Sequence, residues 1–297
     1  MNVRRPTGDD APAVAGLIRA FETHFTGLPE KSEADLRHEW WELELDRDTW
    51  LVELDGELAG YAALYTKPHT FVDGYVHPAH FGRGVGARLV GLTETEARLR
   101  GIDQLRYGVL DADERAQELL ASRGYRDVRR FYRMRIELDA PPEPPEWPDG
   151  LEIAPFDPAE PRVFHAALED AFADHWDFRP ESFEHWAQRW LEDPDADFSL
   201  WSAVRDGDEI AAALMAYAER YGAGWVALLG VRPPWRRRGL GIALLRHAFV
   251  ELYGRGQPVV GLGVDAENPT GATRLYERAG MHVAWAAVLL EKRVSAV

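Results

Sequence analysis

The sequence predicts an α/β (α+β) fold of two similar domains in tandem, each with a mixed, mostly antiparallel central sheet flanked by helices. Three observations support this fold class. The chain has 297 residues and 46% hydrophobic composition, which suits two cores better than one. The same order of strand, turn and helix signals occurs twice, about 155 residues apart. A proline-rich stretch separates the two copies.

This proline-rich stretch sets the predicted domain limits. Between Leu138 and Gly150 five prolines alternate with acidic residues, a composition typical of an extended linker. We therefore expect an N-terminal domain over residues 1–140, a linker over 141–150 and a C-terminal domain over 151–297.

Each copy is predicted to open with a helix and a hairpin. Apolar residues at three- and four-residue intervals predict helices near 14–25 and 161–172. Asp55-Gly56 and Asp206-Gly207 are hairpin turn signals between two apolar runs. Both pairs of runs are therefore predicted to form antiparallel strands.

A glycine turn follows in each copy, at Gly84 and at Gly239, each six residues after the proline of a Val-x-Pro segment. The periodicity after each turn predicts a helix, then a strand, then a helix that ends at a glycine, then a last strand. The predicted ranges are helices at 88–98 and 243–253, strands at 104–109 and 259–264, and helix ends at Gly124 and Gly280.

The second glycine turn has the features of an anion site. Gly239 and Gly241 stand between a strand and a helix, where glycine permits inward-pointing N–H groups and the helix N-terminus adds positive charge. The segment lacks the Lys-Ser/Thr of a nucleoside-triphosphate loop and the third glycine of a dinucleotide site. We expect it to hold a pyrophosphate without a metal; an ordinary tight turn is the alternative.

Arg236-x-x-Gly239-x-Gly241 resembles the Arg/Gln-x-x-Gly-x-Gly/Ala acetyl-CoA loop of the GCN5-related N-acetyltransferase (GNAT) superfamily. The segment from Glu267 to Met281 is similar to the family's Asn…Ala…Leu-Tyr…Gly-Phe segment, with Met281 in place of the last aromatic residue. The resemblance covers most of residues 151–297 and, more weakly, the first half. It implies two tandem GNAT-like domains in a mycothiol-synthase-like arrangement.

The resemblance also implies roles for individual residues. The strand ending at Val231 would splay from its neighbour and pair its backbone, from Leu229 onward, with the pantetheine arm of acetyl-CoA. Asn268 would hydrogen-bond the pantetheine region, and Tyr276 would lie beside the thioester sulfur. The pyrophosphate would be bound by the turn, with charge from Arg236 or Arg238; its residues are Arg236, Arg237, Arg238, Gly239, Leu240, Gly241 and Ile242.

Tyr276 is the predicted catalytic residue. A thiol has a pKa of about 8.5 and a tyrosine of about 10, so a positioned phenol can donate to the leaving thiolate. A half-buried core tyrosine is the alternative. The base stays open, because the strand at 224–230 carries no carboxylate, which departs from the family pattern. The candidates are water, Glu169, Asp170, Asp174, His175, Asp265 and Glu267.

The first half keeps the glycine turn but lacks the side chains. Phe81 stands at the position of the loop arginine, and Ala112 and Leu120 stand at those of the asparagine and tyrosine. We expect a degenerate, non-catalytic domain whose backbone donors would still suit acetyl-CoA. Asp73 is placed like a family base, but we interpret Asp73-Gly74 as a turn-promoting pair.

Charge and composition narrow the partners. With 50 acidic against 34 basic residues the net charge is −16, which disfavours nucleic acid and favours a cationic small-molecule amine. The absence of cysteine excludes a disulfide, a thiolate metal site and a cysteine acyl-enzyme. We expect no metal and no membrane contact, and a cytoplasmic monomer or homodimer.

Together these patterns predict an acetyl-CoA-dependent N-acetyltransferase. Acetyl-CoA would be a co-substrate, and the acetyl group would pass directly to a primary amine of a small molecule in a ternary complex. Two alternatives stay open: an acyl-CoA-binding sensor or scaffold without catalysis, and a protein or peptide N-acetyltransferase.

Overall fold

The computed structural model describes residues 1–66 and 69–294. The strands are β1 (Asn2–Arg4), β2 (Thr49–Leu54), β3 (Glu57–Tyr65), β4 (Phe71–Val76), β5 (Gln104–Leu110), β6 (Arg126–Glu137), β7 (Glu152–Pro155), β8 (Ser202–Asp206), β9 (Glu209–Arg220), β10 (Ala223–Val231), β11 (Val259–Asp265) and β12 (His282–Arg293). The helices are α1 (Ala11–Thr26), α2 (Glu33–Trp40), α3 (Leu45–Asp48), α4 (Val85–Leu99), α5 (Glu114–Ser122), α6 (Pro161–Phe172), α7 (Phe183–Trp190), α8 (Leu240–Gly254) and α9 (Ala272–Arg278).

Both predicted hairpins are confirmed, with different turns. Asp55 and Gly56 join β2 to β3 with φ values of 55° and 86°, the left-handed pair that suits the twist of a two-residue hairpin. In the other hairpin Asp206 of β8 pairs with Glu209 of β9, and Gly207 is the first loop residue, with a φ of 59°. The same Asp-Gly signal therefore marks two turns that differ by one position.

The helices and strands predicted around each glycine turn are also confirmed. The opening helices are α1 and α6, the helices after the turns are α4 and α8, and the next strands are β5 and β11. The final helices α5 and α9 are followed by Gly124 and Gly280, with φ values of 88° and 96°. Glycine adopts this left-handed conformation without steric cost, which ends each helix.

The interpretation of Asp73-Gly74 as a turn is wrong. Both residues lie inside β4, where Asp73 pairs with Ala63 and Gly74 with Ala62 of β3. The neighbouring Val72 is fully buried in the core. Strand pairing and burial therefore outweigh the local turn preference of the Asp-Gly pair.

The chain divides into two compact units, and their limits differ from the predicted 1–140 and 151–297. The first unit is Met1–Phe131 with Trp285–Val297, and the second is Tyr132–Ala284. The last strand accounts for the change at the C-terminus, because Ala287 to Arg293 of β12 pair antiparallel with β5. Residues 141–150, the predicted linker, contain no helix or strand and belong to the second unit.

Each unit has the predicted mixed, mostly antiparallel sheet flanked by helices. The first has the strand order β1-β2-β3-β4-β5-β12, and the second β6-β11-β10-β9-β8-β7. The parallel pairs are β4 with β5 and β10 with β11, and the hairpin strands pair antiparallel. In the first unit alternate residues of β2 enter different cores: Trp50 and Val52 pack with α4, and Leu51 packs with α1.

The placement of β12 predicts that a core substitution near the C-terminus destabilises the first unit. Leu290 is 5% exposed in a core with residues of β2, α4 and β5, so Leu290→Ala should cost about 2–5 kcal/mol in chemical unfolding. Leu99→Ala, at a residue that is 78% exposed, is the matched control and should change stability by less than about 0.5 kcal/mol. Hydrogen exchange should quicken at β5 amides. Equal stability of the two variants, or faster exchange in the second unit alone, would contradict the placement.

Candidate active site

The second glycine turn joins β10 to α8 through two left-handed residues. Arg237 has a φ of 61° and Gly239 a φ of 88°. Gly239 is the N-cap of α8, and its carbonyl accepts the amide of Ala243 at 3.1 Å. The amides of Leu240, Gly241 and Ile242 precede the first helical hydrogen bond, so the helix itself gives them no acceptor. Such amides, with the positive end of the helix dipole, suit an anion.

Gly241 is required for a different reason from Gly239. A Cβ atom at Gly241 would lie 2.8 Å from Cδ1 of Leu275, so the missing side chain lets α9 pack against the start of α8. The first unit repeats this contact, since a Cβ at Gly86 would lie 3.3 Å from Cδ2 of Leu119. The next residue after Leu275 on this helix is Tyr276.

The strand that carries Leu229 and Val231 parts from β11. The parallel register joins Gly224 to Val260 and Trp225 to Gly261, and within the described ranges it extends no further. On its other edge β10 stays paired with β9 as far as Val231. A register shift between Val226 and Leu228 marks a bulge, which bends a strand and strengthens its twist. The splay implied by the family resemblance is therefore present, and its cause is a bulge that the sequence did not reveal.

A glycine inside β10 was also missed. A Cβ at Gly230 would lie 2.8 Å from Cβ of Ala171 and 2.9 Å from the ring of Phe172. The C-terminal end of α6 therefore packs directly on the end of β10. An isolated glycine within an apolar strand is the sequence signal for such a close approach.

Arg236 does not present a free charge to the turn, which corrects that expectation. Its Nε donates to the carbonyl of Val231 at 3.0 Å, and its Nη2 to the carbonyl of Ala171 at 3.0 Å and to Asp174 Oδ1 at 2.9 Å. Its Nη1 is bound to the other oxygen of Asp174. The guanidinium group thus ties the end of β10 to the end of α6.

The free charges at the turn belong to the next two arginines. Arg237 and Arg238 are exposed, and in residues 1–66 and 69–294 neither has an acidic partner. Their side chains are therefore available to a ligand at the N-terminus of α8.

Tyr276 is buried, with 8% of its surface exposed, on the short helix α9. Its hydroxyl group makes no hydrogen bond within the described part of the chain, and burial raises the pKa of Tyr276 to about 12. The phenol is therefore protonated at neutral pH and is a donor without a protein acceptor.

Asn268 has a structural contact on one side of its amide. Its Oδ1 accepts the backbone N–H of Thr270 at 2.8 Å and the Thr270 hydroxyl at 2.6 Å, which shapes the loop before α9. The Nδ2 group donates to no residue in the described ranges, so it remains a donor for a ligand.

Two of the candidate bases are held by arginines. Asp170 accepts Nε of Arg232 at 2.7 Å, and Asp174 forms the pair with Arg236. The Arg236 guanidinium keeps the pKa of Asp174 below its ordinary value. Both carboxylates are therefore engaged by a guanidinium group.

The other candidates differ in their protonation. Asp265 accepts the backbone N–H of Glu267 at 2.9 Å, and Glu169 accepts that of Glu181 at 3.1 Å. Burial raises the pKa of Glu169, and it lowers the pKa of His175, so that the imidazole is neutral near pH 7. The shift thus makes Glu169 a stronger base, and it leaves His175 neutral and able to accept a proton.

The first unit keeps the turn and lacks the side chains, as predicted. Gly84 has a φ of 81° at the start of α4. In place of an arginine–aspartate pair, the Phe81 ring lies 4.0 Å from the guanidinium carbon of Arg115. Leu120 is buried at the position of the tyrosine, and Ala112 is exposed at that of the asparagine.

Metal sites and membrane-spanning helices are two other features that such a chain could contain. In the described ranges no three or more His, Cys, Asp or Glu side chains come together in a way that could hold a metal ion. No helix among these residues has the length and apolar character needed to cross a membrane. The glycine turn with Tyr276 is therefore the candidate site that the described residues support.

The glycine turn at the N-terminus of α8, between strands that part, has the features of an anion-binding site. A family model described as "Acetyltransferase (GNAT) family" matches residues 15–125 and 137–281, and the chain belongs to this family of acetyl-CoA-dependent acetyltransferases. The two matched regions correspond to the two copies, which makes it a tandem GNAT protein.

Relatives and solved structures agree with this family. The chain is 35% identical over 241 residues to a mycothiol acetyltransferase of Thermobispora bispora, covering 78% of this chain and 79% of the relative. It is 32% identical over 240 residues to a mycothiol acetyltransferase of Streptomyces coelicolor, covering 77% and 75%. A GCN5-related N-acetyltransferase from Sphaerobacter thermophilus has a TM-score of 0.86 and 36% identity over 100% of this chain and 96% of that one. A tandem GNAT protein from the clavulanic acid biosynthesis pathway shares the fold, with a TM-score of 0.77 and 17% identity over 100% and 99%.

The contacts of Arg236 predict a structural effect that Arg238 lacks. Arg236→Ala removes charge-assisted bonds to two backbone carbonyls and leaves Asp174 unpaired, so unfolding free energy should fall by about 2 kcal/mol. Arg238→Ala, which removes an exposed arginine two residues away, should leave stability unchanged. Urea unfolding of both variants measures the difference. If Arg238→Ala were the more destabilising, the assignment of these contacts would be wrong.

Proposed function

We propose that the second unit transfers the acetyl group of acetyl-CoA directly to a primary amine of a small molecule in a ternary complex. The observation that carries the proposal is the hydroxyl group of the buried Tyr276, which has no acceptor in the described part of the chain and lies on α9, the helix whose Leu275 packs on Gly241. A donor without an acceptor suits a reaction in which negative charge develops.

Acetyl-CoA would lie along three features of this unit. The pyrophosphate would be bound by the amides of Leu240, Gly241 and Ile242, with charge from Arg237 and Arg238. The pantetheine arm would follow the edge of β10 that parts from β11, where backbone groups are free to pair with an extended ligand. The Nδ2 group of Asn268 would be a further donor to that arm.

The raised pKa of Tyr276 sharpens its proposed role. A thiol with a pKa of about 8.5 is a stronger acid than a phenol with a pKa of about 12, so complete proton transfer to the leaving thiolate would be uphill by about 5 kcal/mol. A hydrogen bond from the phenol to the developing thiolate carries no such cost. We therefore infer that Tyr276 stabilises the thiolate as a donor, and that the proton of CoA comes from elsewhere.

The acceptor is proposed to be a small cationic amine. The net charge of −16 creates a field that attracts cations. Two relatives are named mycothiol acetyltransferase. An amine related to mycothiol is therefore the first acceptor to assay. An amine with a pKa near 10 arrives protonated and must lose a proton before attack. Glu169, whose pKa is raised by burial, and His175, which burial keeps neutral, are the proposed acceptors of that proton.

A non-catalytic acyl-CoA sensor is the second candidate. The absence of a carboxylate from residues 224–230 of β10 favours it, and the placement of Tyr276 favours catalysis. Release of free CoA in the presence of an amine panel separates the two. The chain has no cysteine, so a thiol reagent reads CoA without any signal from the protein.

The reaction is assigned to residues 151–297, while residues 1–140 are proposed to have lost it. Leu120 has no group that could donate to a thiolate, and Ala112 none that could bind pantetheine. The turn at Gly84 keeps amides for a pyrophosphate. Acetyl-CoA binding without turnover is therefore the proposed remnant of the first half.

Removal of one oxygen atom tests the role of Tyr276. Tyr276→Phe should lower kcat by about 100-fold, the order found when a single donor to a developing anion is lost, with little change in acetyl-CoA affinity. Tyr253→Phe, at the C-terminal end of α8, is the matched control and should keep full turnover. Thiol release and calorimetric binding measure the two quantities. Unchanged kcat in Tyr276→Phe would discard the assignment.

The two left-handed glycines form a matched pair for locating the reaction. Alanine at φ near +80° to +90° is strained by about 1–2 kcal/mol, which would displace the first amides of the following helix. Gly239→Ala should raise the KM for acetyl-CoA about tenfold, whereas Gly84→Ala should leave it unchanged. Steady-state kinetics of both variants shows which unit binds the acetyl-CoA that is used in the reaction. Loss of activity in Gly84→Ala alone would assign the reaction to the first unit.

A further inference from the structure

The proline-rich segment at residues 141–150, which we call the strap, is packed on the second unit. Pro142, Pro145 and Pro148 are partly buried, whereas three of the four residues between them are exposed. A repeat of three residues is typical of a polyproline II helix, whose backbone makes no internal hydrogen bonds. The strap is therefore held by what its buried face contacts.

The strap starts after a backbone hydrogen bond and ends in a tight turn. The N–H of Leu138 donates to the carbonyl of Pro258 at 2.7 Å, just before β11. At the other end the N–H of Leu151 donates to the carbonyl of Pro148 at 3.3 Å, and Gly150 has a φ of 76°. Glycine adopts this conformation without steric cost, so the chain can turn there into β7.

Trp147 anchors the strap to α8. Its side chain packs on the core of the second unit, and its ring lies 6.0 Å from the imidazole of His247, between centroids, at an angle of 61°. Edge-to-face contacts at this distance are favourable between aromatic rings. Nε2 of His247 lies 3.3 Å from Oγ of the buried Ser202 on β8, and this hydrogen bond orients the imidazole.

The residue after this anchor, Pro148, lies beside the glycine turn. A Cβ atom at Gly239 would lie 3.9 Å from Cγ of Pro148, which is van der Waals contact. Apart from Gly239 and its two chain neighbours, no other atom of residues 1–66 and 69–294 comes within 4 Å of that point. The strap thus provides the contact on this side of Gly239.

The glycine turn needs such a contact because its backbone is strained. Arg237 carries a side chain and yet has a φ of 61°, a conformation that persists only where the surrounding structure enforces it. Before this residue, Arg236 is bonded to two backbone carbonyls. After it, Pro148 packs on Gly239, the residue from which α8 starts. The strap therefore supports the part of the turn that leads into the first amides of α8.

The charges of the strap act in the opposite direction, but weakly. Glu143, Glu146 and Asp149 are exposed, so water and salt screen their repulsion of an anion at the turn. The contact of Pro148 acts directly on the backbone that would bind the anion. The net effect of the docked strap should therefore be to strengthen anion binding.

We propose that docking of the strap controls the affinity of the second glycine turn for acetyl-CoA, and that Trp147 is the positioning residue of this element. With Trp147 packed on His247, Pro148 supports Gly239, and the amides after Gly239 are preorganised for the pyrophosphate. With the strap undocked, the turn loses this support and binds acetyl-CoA weakly. The inference rests on the acetyl-CoA site proposed for the second unit. Because coupling is reciprocal, bound acetyl-CoA stabilises the docked strap to the same extent.

Thiol-release kinetics and calorimetry with acetyl-CoA, both on the full chain, test this coupling. Trp147→Ala should raise the KM and the dissociation constant for acetyl-CoA at least about fivefold, the lower end of typical coupling between sites, and leave kcat unchanged. Trp147→Phe keeps an aromatic ring for His247 and should restore most of the affinity. Leu138→Ala is the matched control, because it removes an apolar side chain that packs on the same core at the other end of the strap. It should bind acetyl-CoA like the wild type.

Hydrogen exchange measures the reciprocal effect. In the wild type, acetyl-CoA should slow exchange at the amides of Glu146, Trp147 and Asp149, which a strap with a purely structural role would not show. If circular dichroism shows that Trp147→Ala does not fold, Pro148→Ala carries the kinetic test. This variant keeps the anchor and removes the ring beside Gly239, so it should also raise the KM.

Equal acetyl-CoA affinity of Trp147→Ala and Leu138→Ala would overturn the proposal. Unchanged exchange of the strap in wild-type protein saturated with acetyl-CoA would overturn it too, as would a lower kcat of Trp147→Ala at unchanged KM. If no amine supports turnover, the proposed acetyl transfer fails, and the calorimetric affinities still test the strap. If the wild type does not bind acetyl-CoA, both proposals fail.

Discussion

The packing of Leu275 on Gly241 determines the geometry of the candidate active site. Because Gly241 has no side chain, α9 approaches the first turn of α8, and the next residue on α9, Tyr276, is buried. Arg236 fixes the opposite side by binding the carbonyl of Val231 and holding the end of α6. One missing side chain and one fully engaged arginine thus position the helix terminus, the splayed strand and the phenol relative to one another.

Both units have a strand before the glycine turn and an opening helix that packs on this strand, but the residues at the contact differ. At equivalent positions of β10 and β4 the second unit has Gly230 and the first has Tyr75. Gly230 lets the end of α6 lie directly on its strand. The Tyr75 ring instead packs edge-on against Phe21 of α1, at 5.4 Å between centroids. The opening helix thus contacts a tyrosine ring in the first unit and the bare backbone of a glycine in the second.

Local signals made much of this fold predictable. Asp-Gly turns, glycines at helix ends and apolar periodicity are properties of a few adjacent residues, so hairpins, α4, α8 and the glycine turns were predicted within a few positions. What could not be predicted depends on distant partners: the pairing of β12 with β5, the bulge after Val226 and the position of Asp73 inside β4. The partner of Arg236 belongs to the same class, because Asp174 is 62 residues away. Sequence motifs therefore identify candidate site residues, but they do not reveal the hydrogen bonds that these residues form.

The pairing of β12 with β5 has a consequence for synthesis on the ribosome. Domains usually fold in the order in which they leave the ribosome, the N-terminal one first. Here the first unit needs Val288, Leu290 and Val294 in its core, and these residues follow the whole of the second unit in the chain. Its helices and hairpin must therefore wait, with an open sheet edge at β5, until β12 has been synthesised. The second unit, Tyr132–Ala284, has all of its residues earlier, so the later-encoded unit is the first that can complete its core.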